Sequence, residues 1–155
     1  MLALESMKSI QWMMVGPSLL AYPSLEVRLL GVSASAPVTI VITNLPSATS
    51  AIKLNFYNSA GTFLQSGQAT LQQTVLPGGQ HQAQVRVALP AGEWAVALMQ
   101  DTNNNGEVDR NVLGIPNEPY AFSNNVRPRF SAPKFEDCKF RVTGQAQTIT
   151  IQFPK

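Results

Sequence analysis

Short runs of alternating apolar and polar residues, separated by turn signals, make up most of the chain from Pro37 onward. Alternation with a period of two residues is typical of a β-strand that has one buried and one solvated face. It is clearest where Val85, Val87 and Leu89 alternate with polar or small residues. The pattern predicts strands at residues 38–43, 52–57, 82–89, 93–99, 139–143 and 148–153, and a weaker one within residues 62–75.

About seven short strands without a convincing helical segment predict an all-β, two-sheet sandwich of immunoglobulin-like size. The first two predicted strands, residues 38–43 and 52–57, follow each other closely and are expected to pair. Residues 93–99 are apolar on both faces, so this strand is expected to be central, with Trp94, Val96 and Leu98 pointing inward.

One long loop is predicted from about Gln100 to Asp137. Its second half contains four prolines and several large apolar residues, namely Ile115, Tyr120, Phe122, Phe130 and Phe135. Because prolines lower the entropy cost of ordering and buried rings offset it, we expect this loop to be ordered. Phe122 then lies either in the core or, if the segment forms a binding surface, on that surface.

The first 36 residues are predicted to form a leader, and residues 37–155 the β-sandwich domain. Lys8 precedes an apolar stretch, and Ala34 and Ala36 are small residues at the positions that a signal peptidase reads. This pattern predicts a signal peptide, cleaved after Ala36, and export to the periplasm or the extracellular space.

The alternative is an intracellular protein with a poorly ordered apolar leader, because Glu26 and Arg28 are unusual in a signal peptide. A start codon placed upstream of the true one would also explain the length of the leader. The uncharged stretch at residues 10–25 has 16 residues and two prolines, short of the 18 or more of a membrane-spanning helix. A transmembrane span is therefore not expected.

Composition narrows the classes of function. Apolar residues make up 45% of the 155 residues and charged residues 13%, and the net charge is +2. Lys and Arg are spread singly along the chain, so no nucleic-acid partner is expected. The single cysteine, Cys138, excludes an intrachain disulfide and a zinc site built on several cysteines.

The start of the long loop resembles half of a calcium-binding loop. The sequence Asp-Thr-Asn-Asn-Asn-Gly-Glu-Val-Asp at residues 101–109 places side-chain oxygens at positions 1, 3, 5 and 9, and Gly106 at position 6. The expected metal ligands are Asp101, Asn103, Asn105, the carbonyl of Glu107, and Asp109. Position 12 has Val112 in place of the bidentate glutamate. The alternative is a network of Asx-turns that satisfies the loop's own backbone, with no cofactor.

The residues give little support to the hypothesis that the protein is an enzyme. The only histidine, His81, lies in a turn signal, and no nucleophile elbow or phosphate-binding glycine loop is visible. Glu118, Glu136 and Asp137 are carboxylates in a loop, where the solvated alternative outweighs a glycosidase pair. We therefore expect a non-enzymatic protein.

Two classes of function stay open. The first is a structural or protein-interaction module of the bacterial envelope, with the long loop folded over one end of the sandwich. The second is a carbohydrate-binding module, in which rings stack on sugars and polar side chains bond their hydroxyls. The expected ligand or partner surface consists of Glu118, Tyr120, Phe122, Asn124 and Asn125. An envelope protein and a glycan are accordingly the two expected partners.

Several blocks of the sequence resemble the bacterial domain-of-unknown-function family 2141. The blocks are residues 89–96, 100–109, 114–118, 120–125 and 133–137. The resemblance extends from Val38 to Phe153 and implies an exported β-sandwich related to prealbumin-like and carboxypeptidase-regulatory-like modules, with no assigned activity. The chain departs from the family pattern at Gln100, where a histidine is common, at Trp94, where tyrosine is usual, and at Cys138, where a small residue is expected. A role of that histidine is therefore not implied for this chain.

Overall fold

A computed structural model of the chain describes residues 35–106 and 117–155. Residues 1–34, which make up most of the predicted leader, lie outside the described residues. Within them the chain is nearly all β, as the alternating pattern predicted. The strands are β1 (Ser35–Thr43), β2 (Ile52–Tyr57), β3 (Leu71–Val75), β4 (Gln82–Pro90), β5 (Gly92–Gln100), β6 (Tyr120–Phe122), β7 (Phe140–Val142) and β8 (Gln147–Gln152). A one-turn 3₁₀ helix (Ser123–Asn125) and a short helix α1 (Phe135–Cys138) complete the elements.

The strands form two sheets. The first sheet has the order β4–β1–β8, with β1 antiparallel to β4 and parallel to β8. The second, five-stranded sheet has the order β3–β2–β5–β6, and its fifth strand, β7, also pairs with β5. Strand β5 is therefore central in its sheet, as its two apolar faces predicted.

One apolar core contains the inward side chains of both sheets. Alternate residues of β1, namely Val38, Ile40 and Ile42, are fully buried and belong to the same cluster as the inward residues of β2 and β5. Trp94, Val96 and Leu98 are among them, which confirms the predicted orientation of the central strand. The two sheets thus satisfy their hydrophobic faces against each other.

Two sequence-based expectations about topology are wrong. Strands β1 and β2 do not pair, because β1 belongs to the first sheet and β2 to the second. Their alternating apolar residues enter the same core from different sheets, an arrangement that periodicity alone cannot distinguish from pairing. The segment expected to be one long loop also contains strand β6 and helix α1, although the eight described strands agree with the expected number of about seven.

A second cluster covers part of the outer face of the five-stranded sheet. Tyr57, Phe63 and Phe135 form a chain of edge-to-face contacts, with ring centroids 5.3 and 5.8 Å apart. Phe122 and Cys138 are buried in the same cluster. The chain after β2 and the segment around α1 therefore pack onto the outside of this sheet. These contacts order part of the predicted long loop, as expected.

None of the helices in the described parts of the chain has the length and apolar character that crossing a membrane requires.

Candidate functional site

The Asp/Asn loop begins where β5 ends, and its described half is held together by Asp101. This carboxylate is buried, and its two oxygens accept the backbone N–H groups of Asn105 (3.2 Å) and Gly106 (2.8 Å). The side-chain oxygen of Asn103 also accepts the N–H of Asn105, at 3.2 Å. Asn104 and Gly106 have positive φ angles of 56° and 80°, which asparagine and glycine tolerate best. These contacts form the Asx-type network that was the alternative to metal binding.

A lysine supplies the positive charge next to this carboxylate. Lys53 on β2 places its Nζ 3.8 Å from Oδ2 of Asp101 and donates to the carbonyl oxygen of Gly106. Within residues 35–106 and 117–155, no three His, Cys, Asp or Glu side chains lie close enough together to hold a metal ion. Glu107 and Asp109, the other two expected ligands, lie outside the described residues.

Gln100, the last residue of β5, is a structural residue that the sequence pattern did not reveal. Its fully buried amide accepts the N–H of Ser47 (2.9 Å) and donates to the carbonyls of Ser47 (2.7 Å) and Ser50 (3.1 Å). It therefore fastens the connection between β1 and β2 to the end of the central strand. The sequence signal that could have identified this role is a polar residue that directly follows the apolar residues 94–99.

A groove of about 760 Å³ lies on the outer face of the five-stranded sheet, beside the second cluster. The register of β3, β2, β5 and β6 places outward side chains in two neighbouring rows. One row consists of Gln72, Asn55, Ala97 and Phe122, and the next consists of Thr74, Lys53, Met99 and Tyr120. The floor thus combines amides, a hydroxyl, a lysine and aromatic rings.

Two loops form the walls of the groove. One wall contains Leu64 and the residues up to Ala69, and the other is residues 128–133. Phe130 on the second wall is fully exposed, and Arg129 beside it is also exposed. Leu64 has φ = 60°, a conformation that costs a residue with a Cβ about 1–2 kcal/mol. Such strain is found preferentially at functional sites, which makes this wall notable.

The five residues of the expected partner surface do not form one exposed surface in the structure. Tyr120 and Phe122 line the groove, although Phe122 is only 7% exposed and packs within the second cluster. Glu118 is buried and is not part of the lining. Asn124 donates to the carbonyls of Asp137 (3.1 Å) and Lys139 (2.8 Å). Asn125 accepts the N–H of Gln152 at 2.8 Å and donates to the carbonyl of Thr150 at 3.5 Å. Both asparagine side chains are therefore engaged with the backbone of neighbouring elements.

The two residues best suited to nucleophilic or base chemistry lie outside the groove lining. His81 donates or accepts through Nδ1 at 2.7 Å from the carbonyl oxygen of Leu45. Cys138 is fully buried, and burial, reinforced by the charge of Asp137, raises the pKa of its thiol to about 11. A thiol in this state is protonated at neutral pH and is a poor nucleophile.

Comparisons with known proteins found one family and one structure. A family model described as "Uncharacterized protein conserved in bacteria (DUF2141)" matches residues 40–150. No curated protein matches the sequence. Among solved structures, a leucine-rich repeat protein from Bacteroides thetaiotaomicron is similar at 11% identity with a TM-score of 0.34, over 78% of this chain and 12% of that chain. A likeness this weak supports no conclusion about fold or function.

Proposed function

Because the chain belongs to the bacterial family DUF2141, whose description assigns no activity, we propose a function from the geometry of the groove. The protein is a non-enzymatic, exported module of the bacterial envelope that binds a partner on the outer face of its five-stranded sheet. The observation that carries this proposal is the groove itself, whose lining includes Tyr120 and the fully exposed Phe130.

A concave site that combines apolar rings with a few polar groups is the usual form of a binding site. Phe130 and Leu76 are the two large apolar side chains that are markedly exposed among the described residues, and only Phe130 lines the groove. An exposed ring at a concave site offers apolar area that a partner would bury.

The groove's chemistry supports the non-enzymatic part of the proposal. Among the described residues of its lining, the groups able to transfer a proton are Lys53, Tyr57 and Tyr120, and no carboxylate, histidine or cysteine accompanies them. Of these groups, Lys53 forms an ion pair with Asp101 and donates a hydrogen bond to the carbonyl oxygen of Gly106.

Export and the finer fold type belong to the same proposal. Lys8, the apolar stretch and the small residues before Pro37 support a signal peptide. The two sheets around one core support an immunoglobulin-like or prealbumin-like sandwich, an architecture that many extracellular modules share.

Co-sedimentation with envelope fragments tests the proposal. The purified domain should sediment with envelopes of its own host, and Phe130→Ala should reduce the bound fraction severalfold. Leu76→Ala is the matched control, since it removes an exposed apolar side chain away from the groove. Equal binding of both variants and the parent would contradict the groove as the binding surface.

The partner is a protein or a glycan, and the amide and hydroxyl side chains on the floor favour the glycan. Asn55, Gln72 and Thr74 offer both donors and acceptors, as sugar hydroxyls require. Protease treatment of the envelopes should abolish binding to a protein, and periodate oxidation should abolish binding to a glycan.

Calcium stabilisation of the loop at residues 101–109 is a separate proposal. Without a bidentate glutamate the affinity should be weak, with a dissociation constant on the order of 10⁻⁴–10⁻³ M. The melting temperature should then rise with millimolar Ca²⁺ but not with Mg²⁺, and Asp101→Ala should abolish the rise. Lys53→Gln should strengthen the response, because it removes an ammonium group that competes for the carboxylate. A parent protein that does not respond to Ca²⁺ would leave the Asx-turn network as the explanation of the loop.

A further inference from the structure

The chemistry of the groove indicates a ligand class, and this inference rests on the proposed function because it concerns the same site. The charged side chains among the described lining residues are Lys53 and Arg129, both basic. Arg129 is exposed, and none of the ion pairs between described residues includes it. Lys53 is paired with Asp101, so Arg129 supplies the positive charge that the lining offers to a ligand, and the described lining residues include no carboxylate to oppose it. Such a site favours an anionic ligand.

The floor of the groove is suited to recognition by side chains. It spans β3, β2, β5 and β6, and its two inner strands, β2 and β5, are each paired on both sides. An extended peptide that lies across these inner strands cannot bind them by strand addition, so recognition over them uses side chains. Asn55 and Gln72 stand opposite each other on adjacent strands, and Thr74 is two residues further along β3. Their side chains supply neutral donors and acceptors at a spacing set by the sheet.

The aromatic residues provide the third component. Tyr120 lies at the β6 end of one floor row, and Phe130 extends from the wall with its whole side chain exposed. Aromatic faces pack well against the apolar C–H surface of a sugar ring, while the amides bond its hydroxyls.

We infer that the groove binds an acidic oligosaccharide, whose carboxylate pairs with Arg129 and whose sugar rings pack against Phe130 and Tyr120. Arginine suits this role because its planar guanidinium can bond a carboxylate through two parallel hydrogen bonds. The neutral amides of β2 and β3 then contact the hydroxyl groups.

The test is calorimetric titration with three acidic tetrasaccharides: tetragalacturonate, tetramannuronate and a hyaluronan tetrasaccharide. Each is paired with its carboxyl-reduced counterpart, which keeps the sugar rings and removes the charge. At least one acidic form should bind about tenfold more tightly than its reduced form, the effect of one charge-assisted hydrogen bond. Its affinity should fall as ionic strength rises, because the pair is exposed to solvent.

Matched variants locate the binding site. Arg129→Gln should remove the preference for the acidic form, whereas Arg127→Gln, an exposed arginine outside the groove lining, should retain it. Phe130→Ala should weaken the acidic and the reduced form by the same factor, about tenfold, and Leu76→Ala should weaken neither. All four side chains are exposed, so the variants are expected to fold.

Each contrary result has its own meaning. Equal affinity for acidic and reduced forms overturns the acidic ligand, while the groove stands as the binding site if Phe130→Ala weakens both. Failure of all three acidic forms to bind overturns the inference, and envelope co-sedimentation still tests the proposed function separately. Tighter binding of hexaglutamate with the same dependence on Arg129 and Phe130 overturns the sugar and indicates an acidic peptide. Oligosaccharide binding that is insensitive to Phe130→Ala, together with unchanged co-sedimentation, contradicts both proposals.

Discussion

Single side chains with buried amide or hydroxyl groups connect the elements of this domain. Gln100 is the clearest case, because one amide satisfies one N–H and two carbonyls of the connection between β1 and β2. A neutral imidazole offers one donor and one acceptor, so a histidine could not make all three of these bonds. The glutamine thus suits the loop geometry of this chain.

Replacing Gln100 by leucine should lower the free energy of unfolding by about 2–4 kcal/mol, because partly buried backbone groups of Ser47 and the buried carbonyl of Ser50 lose their partners. Urea denaturation measures this loss. Gln84→Leu, on an exposed position of β4, is the control and should change stability by less than about 0.5 kcal/mol. A Gln100→Leu variant as stable as the parent would show that water or a loop shift replaces these bonds.

The Cys138 thiol should resist alkylation in the native protein at pH 8 and react only after unfolding. Its pKa is about 11 in the folded state, above its ordinary value of 9.0, first because of burial and second because of Asp137. Between about pH 9 and 11 the native state therefore holds the proton more tightly than the unfolded chain does. Stability should fall as pH rises through this window.

Cys138→Ala separates this effect from that of other groups, such as Tyr57, whose pKa is also raised by burial. The variant should lose less stability than the parent between pH 9 and 11, as measured by denaturant titration at each pH. Rapid alkylation of the folded parent by iodoacetamide would contradict the buried thiol.

At the scale of elements, the turn after β6 joins three parts of the fold. Ser123 accepts the N–H of Val96 on β5 at 2.9 Å and donates to the carbonyl of Cys138 at 2.6 Å. Asn124 and Asn125 follow with positive φ angles of 60° and 54°. Their amides then reach the end of α1 and the edge of β8, so this turn depends on residues that tolerate the left-handed region.

Asn125 satisfies backbone groups at the outer edge of β8. Asn125→Ala should lower stability by about 1–2 kcal/mol, because the hydrogen bonds are lost and the positive φ becomes less favourable. Hydrogen exchange at the Gln152 amide should accelerate relative to the amides of β2. Substitution of Asn117, which is exposed, is the control. Unchanged protection of Gln152 would show that Asn125 does not hold this edge.

Two phenylalanines in one segment should behave differently. Phe122→Ala should destabilise the domain by roughly 3–5 kcal/mol, because the ring is 7% exposed within the second cluster. Phe130→Ala should leave stability unchanged, because that side chain is fully exposed. Thermal and urea unfolding of both variants measure the difference. If Phe122→Ala melts like the parent, the second cluster does not stabilise the domain.

At the scale of the whole molecule, the beginning of β1 links the fold to the proposed processing. Ser35 and Ala36 pair with Pro90 and Leu89 of β4, and Ala36 is fully buried. Cleavage after Ala36 would remove both residues from the strand.

A chain that starts at Ser35 should therefore melt at a higher temperature than one that starts at Pro37. The free energy of unfolding should differ by about 1–2 kcal/mol, because the shorter chain loses strand pairing and apolar burial. Calorimetry compares the two chains, and amino-terminal sequencing of exported protein identifies the mature start. Equal stability of both chains would show that the first two residues of β1 contribute little.

Local periodicity was sufficient to predict the class of fold and most of the strands. The alternation in β1, β4 and β8 follows from one buried and one solvated face, and the doubly apolar β5 follows from a central position with both faces covered. The Asx-type contacts of Asp101 were also among the sequence-based alternatives, because they involve neighbours along the chain.

Contacts between residues distant in sequence were decided only by the tertiary structure. The separation of β1 and β2 into two sheets, the three residues of β6, and the clamp of Gln100 on residues 47–50 all depend on such contacts. The groove depends on them most, since its floor rows join strands from residues 53 to 122 through sheet register. A sequence pattern reports which face of a strand is buried. Which strands lie side by side, and therefore which side chains meet, is set by the packing of the whole domain.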